Sequence, residues 1–467
     1  MRNFVDMFRS LVILVCAFVS TGFVRAEIGE KTFRERTKCA VAVKYSIELE
    51  EDRRQVVTMG MVADSDGTVL VPASEIPLSL RHDELKDFKI HFFGGDPDGY
   101  SAEYLGADSL SGTHFLKIKK GLPDGLVPYT AFARAGVSRG QTVWGAGISR
   151  EEFLFEPYML KSYVSDIGRR PVMKATSPVP VAAVGTAVFD ESGNFVGWGD
   201  SPASELRLLY AEKINGLPIT LAAPVSTDSF ILPDELDKIL ARRPSRPEGD
   251  KFGWLGLVNT KVLKRDVAKM MGVGNVSAFL ISDIAKGSPA ETAGLKKGDI
   301  VVAVGGKSVE VCFEQFALYN FRLLFAEHKK GDKISLSVIR ASDAPREVEI
   351  VVGENPKTPR ESKTRYFKRI GFSVREYLFD DAVARKNLEI KTDAPPVVKY
   401  VKPNSPAASA LPARLFAGDI VREINSKPVS SYAEAVAELS KLDASAKEIV
   451  ILAEDMKETK LVRIKLD

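Results

Sequence analysis

Hydrophobic and polar positions are arranged in three different ways along this chain. Residues 11–19 form an unbroken apolar run, behind Arg2 and Arg9 and ahead of Val24-Arg25-Ala26. A charged start, a short apolar centre and small residues at the positions a signal peptidase reads predict a secretory signal over residues 1–26. A retained membrane anchor is the alternative. Ser20, Thr21 and Gly22 break the run short of the ~20 residues a span needs. Next come short apolar runs parted by turn residues. Residues 58–63 and 68–71 flank Asp64-Ser65-Asp66-Gly67, and 188–190 and 195–198 flank Glu191-Ser192-Gly193. Many short strands with Gly/Asp/Ser turns predict an all-β barrel or sandwich.

The C-terminal part mixes helical and strand patterns, and it repeats itself. Gly287-Ser288-Pro289-Ala290 precedes Gly298-Asp299-Ile300-Val301, and Asn404-Ser405-Pro406-Ala407 precedes Gly418-Asp419-Ile420-Val421. Each Ser-Pro predicts a short helix, with Ser as N-cap and Pro at the first helical position. Glu291 completes a capping box after Ser288. Each Gly-Asp predicts a turn into an apolar strand. A second helix follows each time: Ser431 caps one over 433–439, and the aromatic spacing of 313–325 predicts a core or groove helix. Polar stretches at 241–250 and 356–363, with Pro, Lys and Arg, read as linkers. They divide the chain after the signal into 27–245, 252–356 and 366–467. At ~150 residues per domain, 467 residues make about three domains.

Composition narrows the function. Hydrophobic residues are 45% and charged residues 27%, which excludes wholesale disorder. With 65 Lys+Arg against 62 Asp+Glu the net charge is +3, so no nucleic-acid partner is expected. Four histidines, and no phosphate loop, Cys-x-x-Cys pair or His-Glu-x-x-His helix, predict neither metal nor cofactor. After the signal only Cys39 and Cys312 remain, far apart, so no disulfide framework is expected. A secreted or periplasmic protein with no later spanning segment follows.

The two C-terminal segments resemble PDZ domains of the circularly permuted bacterial type. An apolar-Gly-apolar loop, a strand, the Ser-Pro-Ala helix and the Gly-Asp-Ile-Val strand come in order. In that family the loop points backbone N–H groups at a peptide's terminal carboxylate, and the peptide adds as a strand beside a helix. The resemblance assigns peptide binding to Trp254, Leu255, Gly256 and Leu257, and to Ile370, Gly371 and Phe372. Glycine is expected there because only a residue without Cβ lets the donors converge on an oxyanion.

A pair of such domains behind an exported β-rich segment resembles the HtrA/Deg family. The implied fold is mainly β: a trypsin-like double β-barrel followed by two α+β PDZ domains. Segments 59–74, 105–118, 140–147 and 184–197 resemble the family's strands around its Ser-His-Asp triad. In this alignment the His, Asp and nucleophile positions hold Ser74, Gly112 and Val184, and Ala182, Ala183 and Thr186 replace a Gly-rich or polar surround. A valine cannot attack a carbonyl and a glycine cannot orient an imidazole. His82, His114, Ser177 and Thr186 lie nearby, but not where the family geometry would use them. The resemblance therefore implies a protein with no catalytic residues and no enzymatic activity. It would bind peptide C-termini or unfolded segments as a chaperone, adaptor or regulator, in homo-oligomers or with an active relative. The alternatives are an active serine-type endopeptidase with a divergent or misaligned triad, and an envelope scaffold with one fixed partner.

Overall fold

A computed structural model describes residues 28–466 except 170–171, 179–180, 182–183, 201–202, 215–216, 313, 327, 342–343 and 391–392; of 203–227 it describes the backbone. The expected signal, Ala182, Ala183 and Phe313 lie outside the described residues. No described helix is long and apolar enough to cross a membrane.

The N-terminal part holds two sheets. Strands β1 (Ala40–Glu48), β2 (Arg53–Val62), β3 (Thr68–Val71), β4 (Leu85–His91), β5 (Tyr100–Ala107) and β6 (His114–Ile118) close into a barrel in the order β1-β2-β3-β6-β5-β4. Alternation fills it: Val41, Val43, Tyr45 and Ile47 of β1 point inward, with a Tyr45–Phe88–Tyr104 ring stack at 5.2 and 5.5 Å. Strand β3 is buried on both faces, which explains its unbroken Thr-Val-Leu-Val run. Val69 and Val71 face the barrel, and Leu70 faces the second sheet with Phe115 of β6.

That second sheet has eight strands: β7 (Thr142–Ile148), β8 (Pro157–Tyr163), β9 (Asp166–Arg169), β10 (Met173–Ser177), β11 (Ala187–Asp190), β12 (Phe195–Gly199), β13 (Ala203–Ile214) and β14 (Leu217–Ile231). Their order is β8-β7-β11-β12-β14-β10-β9, with β13 paired to β14. Phe189, Phe195 and Trp198 join Leu70 and Phe115 in the core between the sheets. The helix Pro233–Ala241 closes this core with Leu236 and Ile239.

The middle part builds a five-stranded sheet around Ile300–Val304, packed against the helix Glu314–Ala326. Phe321 of that helix stacks on Phe279 at 4.1 Å. The C-terminal part builds an eight-stranded sheet packed against the helix Tyr432–Ser445. The Gly-Asp pairs do more than turn the chain. Asp299 is buried, accepts from the Lys296 N–H at 2.8 Å and takes both arms of Arg340 at 2.7 Å. Asp419 repeats this with the Phe416 N–H and Lys460 Nζ, both at 2.8 Å. Burial opposes ionisation of Asp299, but Arg340 and the Lys296 N–H outweigh it and hold its pKa below the usual range.

Three expectations need correction. Ser405-Pro406 opens hydrogen-bonded turns rather than a helix, although Ser405 Oγ does cap the Ala408 N–H at 3.2 Å. The capping box at Ser288 is displaced by one residue: Glu291 accepts from the Gly287 N–H at 2.6 Å. The stretches read as linkers are fastened down. Arg242 pairs with buried Asp108 at 3.0 Å, and Arg360, itself buried, donates to the Leu78 carbonyl at 2.9 Å.

The Ser431 cap is testable. Its Oγ accepts from the Glu434 N–H at 3.2 Å. Ser431→Ala is expected to destabilise the C-terminal part by about 1 kcal/mol. Hydrogen exchange over 432–445 should rise about fivefold, while exchange in the barrel stays unchanged.

Candidate functional site

The loop 254–257 borders a cavity of about 590 Å³ between the strand Leu257–Val258 and the helix Glu314–Ala326. Leu255, Leu257, Leu318 and Phe321 give it an apolar lining. Leu257–Val258 pairs with Asp283–Ile284 on one side; among the described residues its other edge carries no strand. The Leu255 and Gly256 N–H groups have no hydrogen-bond partner among the described residues. Two unsatisfied donors beside an open edge and an apolar groove can take a carboxylate and an added strand.

The reason for glycine differs from the expected one. Gly256 has φ +86°, and a Cβ there would lie 2.1 Å from Ser288 Cβ. Glycine is required because the helix-capping serine fills the space above it, and because the loop is left-handed. Gly371 repeats both features, with φ +87° and Ser405 Cβ at 2.2 Å.

The second loop is built alike and occupied differently. Ile370 and Phe372 are fully buried in the core. The Arg369 and Ile370 N–H groups both donate to Asp443 Oδ1, at 2.9 Å each, and the Gly371 N–H donates to the Phe367 carbonyl at 2.7 Å. The following strand, Phe372–Arg375, is flanked by Thr364–Phe367 on one side and Val397–Val401 on the other. At the expected peptide site Ile370, Gly371 and Phe372, an internal carboxylate thus holds the Ile370 amide, a carbonyl holds the Gly371 amide, and the strand edge is paired on both sides. Sequence reasoning missed Asp443. The signal was an acidic residue in the last turn of a helix, where the dipole disfavours it unless donors outside the helix hold it.

The three triad positions lie on loops of the N-terminal part. Ser74 is exposed and contacts Glu75 at 3.3 Å. Gly112 has φ +75°, and a Cβ there would sit 3.0 Å from Ala73, which precedes Ser74. Val184 lies in a turn whose Gly185 packs on the Met59 carbonyl of β2 and accepts from Trp198 Nε1 at 3.1 Å. Nearby Ser177 donates to Ser162 at 2.7 Å, and both are buried. His114 is fully buried inside the barrel, with Nδ1 2.9 Å from the Tyr104 hydroxyl. Burial, then the charge of Arg360, pushes its pKa down to about 3, so the ring is neutral near pH 7. His82 is half-buried and lies 3.3 Å from Glu248. Among the described residues, no three His, Cys, Asp or Glu side chains are grouped to hold a metal.

Comparison with known proteins follows this geometry. A PDZ domain family matches residues 280–315. A probable periplasmic serine endoprotease DegP-like of Pseudomonas fluorescens is 26% identical over 355 residues, covering 73% of this chain and 66% of that protein. Its namesake in Pseudomonas putida is 24% identical, covering 81% and 73%. A third, in Chlamydia pneumoniae, is 29% identical over 180 residues, or 38% of this chain and 33% of that protein. Among solved structures, the HtrA-type protease AlgW with decapeptide aligns with a TM-score of 0.50 at 15% identity, covering 71% of this chain and 100% of that one. The same protease with tripeptide gives 0.50 at 17%, covering 71% and 98%. The chain is thus homologous to HtrA/DegP-like serine endoproteases, with a trypsin-like fold and a PDZ domain. One expectation is overturned. The relatives are named serine endoproteases, which points to a protease, and the reading of the chain as no enzyme does not stand.

The buried histidine makes a pH prediction. A folded pKa of about 3 lies below the unfolded value of 6.5, so below pH 6.5 the unfolded chain binds a proton that the folded chain does not. Stability therefore falls on acidification across this window, by up to about 1.4 kcal/mol per pH unit from this residue. Urea unfolding of wild type and His114→Gln between pH 7 and 5 should show a shallower pH slope in the variant.

Proposed function

We propose that this chain, a homologue of the HtrA/DegP-like serine endoproteases, captures peptide C-termini or unfolded segments in the groove beside Leu255 and Gly256 and serves as a periplasmic serine-type endopeptidase. The observation that carries the binding half is the pair of unsatisfied N–H groups at the end of an open strand edge. A carboxylate accepts both hydrogen bonds, the peptide backbone pairs along Leu257–Val258, and the last side chain enters the apolar lining near Leu318 and Phe321. The endopeptidase half is supported by the relatives' names. On this reading the chemistry uses groups other than Ser74, Gly112 and Val184.

In the same reading residues 1–26 are a cleaved signal, 27–245 the trypsin-like domain, and 252–356 and 366–467 two PDZ domains. The family match supports the first PDZ domain. The repeated Gly–Ser contact and Asp clamp support the second. Homo-oligomers built through the barrel belong to this proposal.

Two measurements test it. A fluorescein-labelled decapeptide ending in Leu-Val-Leu should bind at least about tenfold more tightly as the free acid than as the amide, a difference of about 1.4 kcal/mol. Gly256→Val should abolish binding, because its side chain displaces Ser288; equal binding of acid and amide overturns the loop assignment. Incubation with casein and with a fluorophosphonate probe should give cleavage and one labelled serine, which identifies the nucleophile. No cleavage and no labelling beside an active relative overturns the endopeptidase half.

A further inference from the structure

The groove beside Gly256 is lined in part by the C-terminal part of the chain. Phe379, Asp380 and Val383, on the helix Phe379–Ala384, line the same cavity as Trp254–Val258. Phe379 meets the Trp254 ring edge-on, with centroids 5.9 Å apart. Beyond this helix the Lys286 N–H donates to the Leu388 carbonyl at 2.8 Å, and Lys286 bridges Glu389 in parallel. Trp254 lies 3.3 Å from where a Gly256 Cβ would be, and Lys286 is two residues before Ser288. The segment 379–389 therefore stands across the loop that offers the two free N–H groups. The far end of the groove, near Asn259 and Thr260, opens onto a second surface cleft that this segment does not line.

The C-terminal part is held in this position by charge. Lys399 pairs with Glu84 and, at 3.3 Å, with Glu50 of the barrel. Lys402 pairs with Glu51, which also accepts from the Tyr366 hydroxyl at 2.7 Å, and Ser373 donates to Glu50 at 2.9 Å. The strap between the two C-terminal parts adds Arg360, buried against the barrel.

Resting on the reading of the Leu255–Gly256 loop as a carboxylate site, we propose that the docked helix Phe379–Ala384 is a stop wall. It restricts the groove to peptides that end at the loop, and undocking of the C-terminal part admits segments that continue past it. Phe379 is then a specificity-determining residue contributed by a neighbouring unit, and the ion pairs at Lys399 and Lys402 set which class of peptide is accepted.

The test uses the full chain and two peptides: the Leu-Val-Leu decapeptide as free acid, and the same peptide extended past its last leucine by five Gly/Ser residues. Fluorescence anisotropy on wild type should show binding of the free acid and at least about tenfold weaker binding of the extended form. Phe379→Ala removes the wall directly. Lys399→Glu loosens it from a distance, by placing a third carboxylate beside Glu50 and Glu84, and leaves the core of the C-terminal part intact. Lys399→Glu should bind the extended peptide about tenfold more tightly than wild type with the free-acid affinity changed by less than about threefold, and Phe379→Ala should lower the acid-to-extended ratio about tenfold. An acid-to-extended ratio that stays at the wild-type value in both variants overturns the wall while leaving the loop assignment standing. Binding of neither peptide to wild type, or of both equally, overturns the loop assignment and the wall with it.

Discussion

The recognition geometry depends on one contact too close for any side chain but a missing one. Gly256 lies against Ser288, and Gly371 against Ser405, at distances where a Cβ would overlap the serine. The positive φ of the glycine, +86° and +87° in the two loops, sets the direction of the loop backbone. The serine that forces the glycine also caps the backbone of the segment behind it. Loop direction and cap are thus one constraint. Replacing either residue moves both, which ties the donor array to the packing of the sheet rather than to the presence of a ligand. The same device appears twice in one chain, so the differences between its two copies are informative.

Those differences concern occupancy. In one copy the donors are unsatisfied and the neighbouring edge is open. In the other, Asp443 supplies a carboxylate and Thr364–Phe367 supplies a strand, the two things an incoming peptide would bring. A unit satisfied internally on both counts is free to use its outer surface for docking, and its sheet carries Lys399, Lys402 and Tyr366 toward the acidic residues of the barrel. Individually such pairs contribute little at an exposed surface. Here several converge on Glu50, Glu51 and Glu84, the buried strap residue Arg360 adds a bond to the Leu78 carbonyl, and convergence fixes orientation more than it adds stability.

Much of the fold was legible because it rests on local rules. The turn-flanked apolar runs that end β2 and form β3, the Gly-Asp turns and the Ser431 cap each follow from neighbouring residues. The family resemblance named the loops at 254–257 and 370–372, and both carry a glycine at positive φ against a serine. What the sequence did not reveal was long-range. Asp443 reaches a loop seventy-odd positions away, Arg360 enters the barrel from a stretch that reads as a linker, and Phe379 meets Trp254 across two units. No window of a few residues contains both partners of such contacts. Nor does an alignment of catalytic positions settle activity, because it tests one arrangement of groups and the relatives' names speak for the reaction.

An open strand edge beside an apolar groove invites indiscriminate pairing, and folded chains usually blunt such edges. This one is kept short: Leu257–Val258 is two residues long and is followed by Asn259 in a left-handed conformation, which turns the backbone before the pairing resumes at Lys261–Val262. Phe379 and its neighbours line the cavity beside it. A binding edge must stay unpaired to function, so protection has to come from what surrounds it rather than from within its own sheet. A second copy of the same unit, closed on itself by Asp443 and by its own first strand, can supply that cover without competing for the ligand. The two similar loops thus differ in a way that leaves one edge open and the other closed by its own part of the chain.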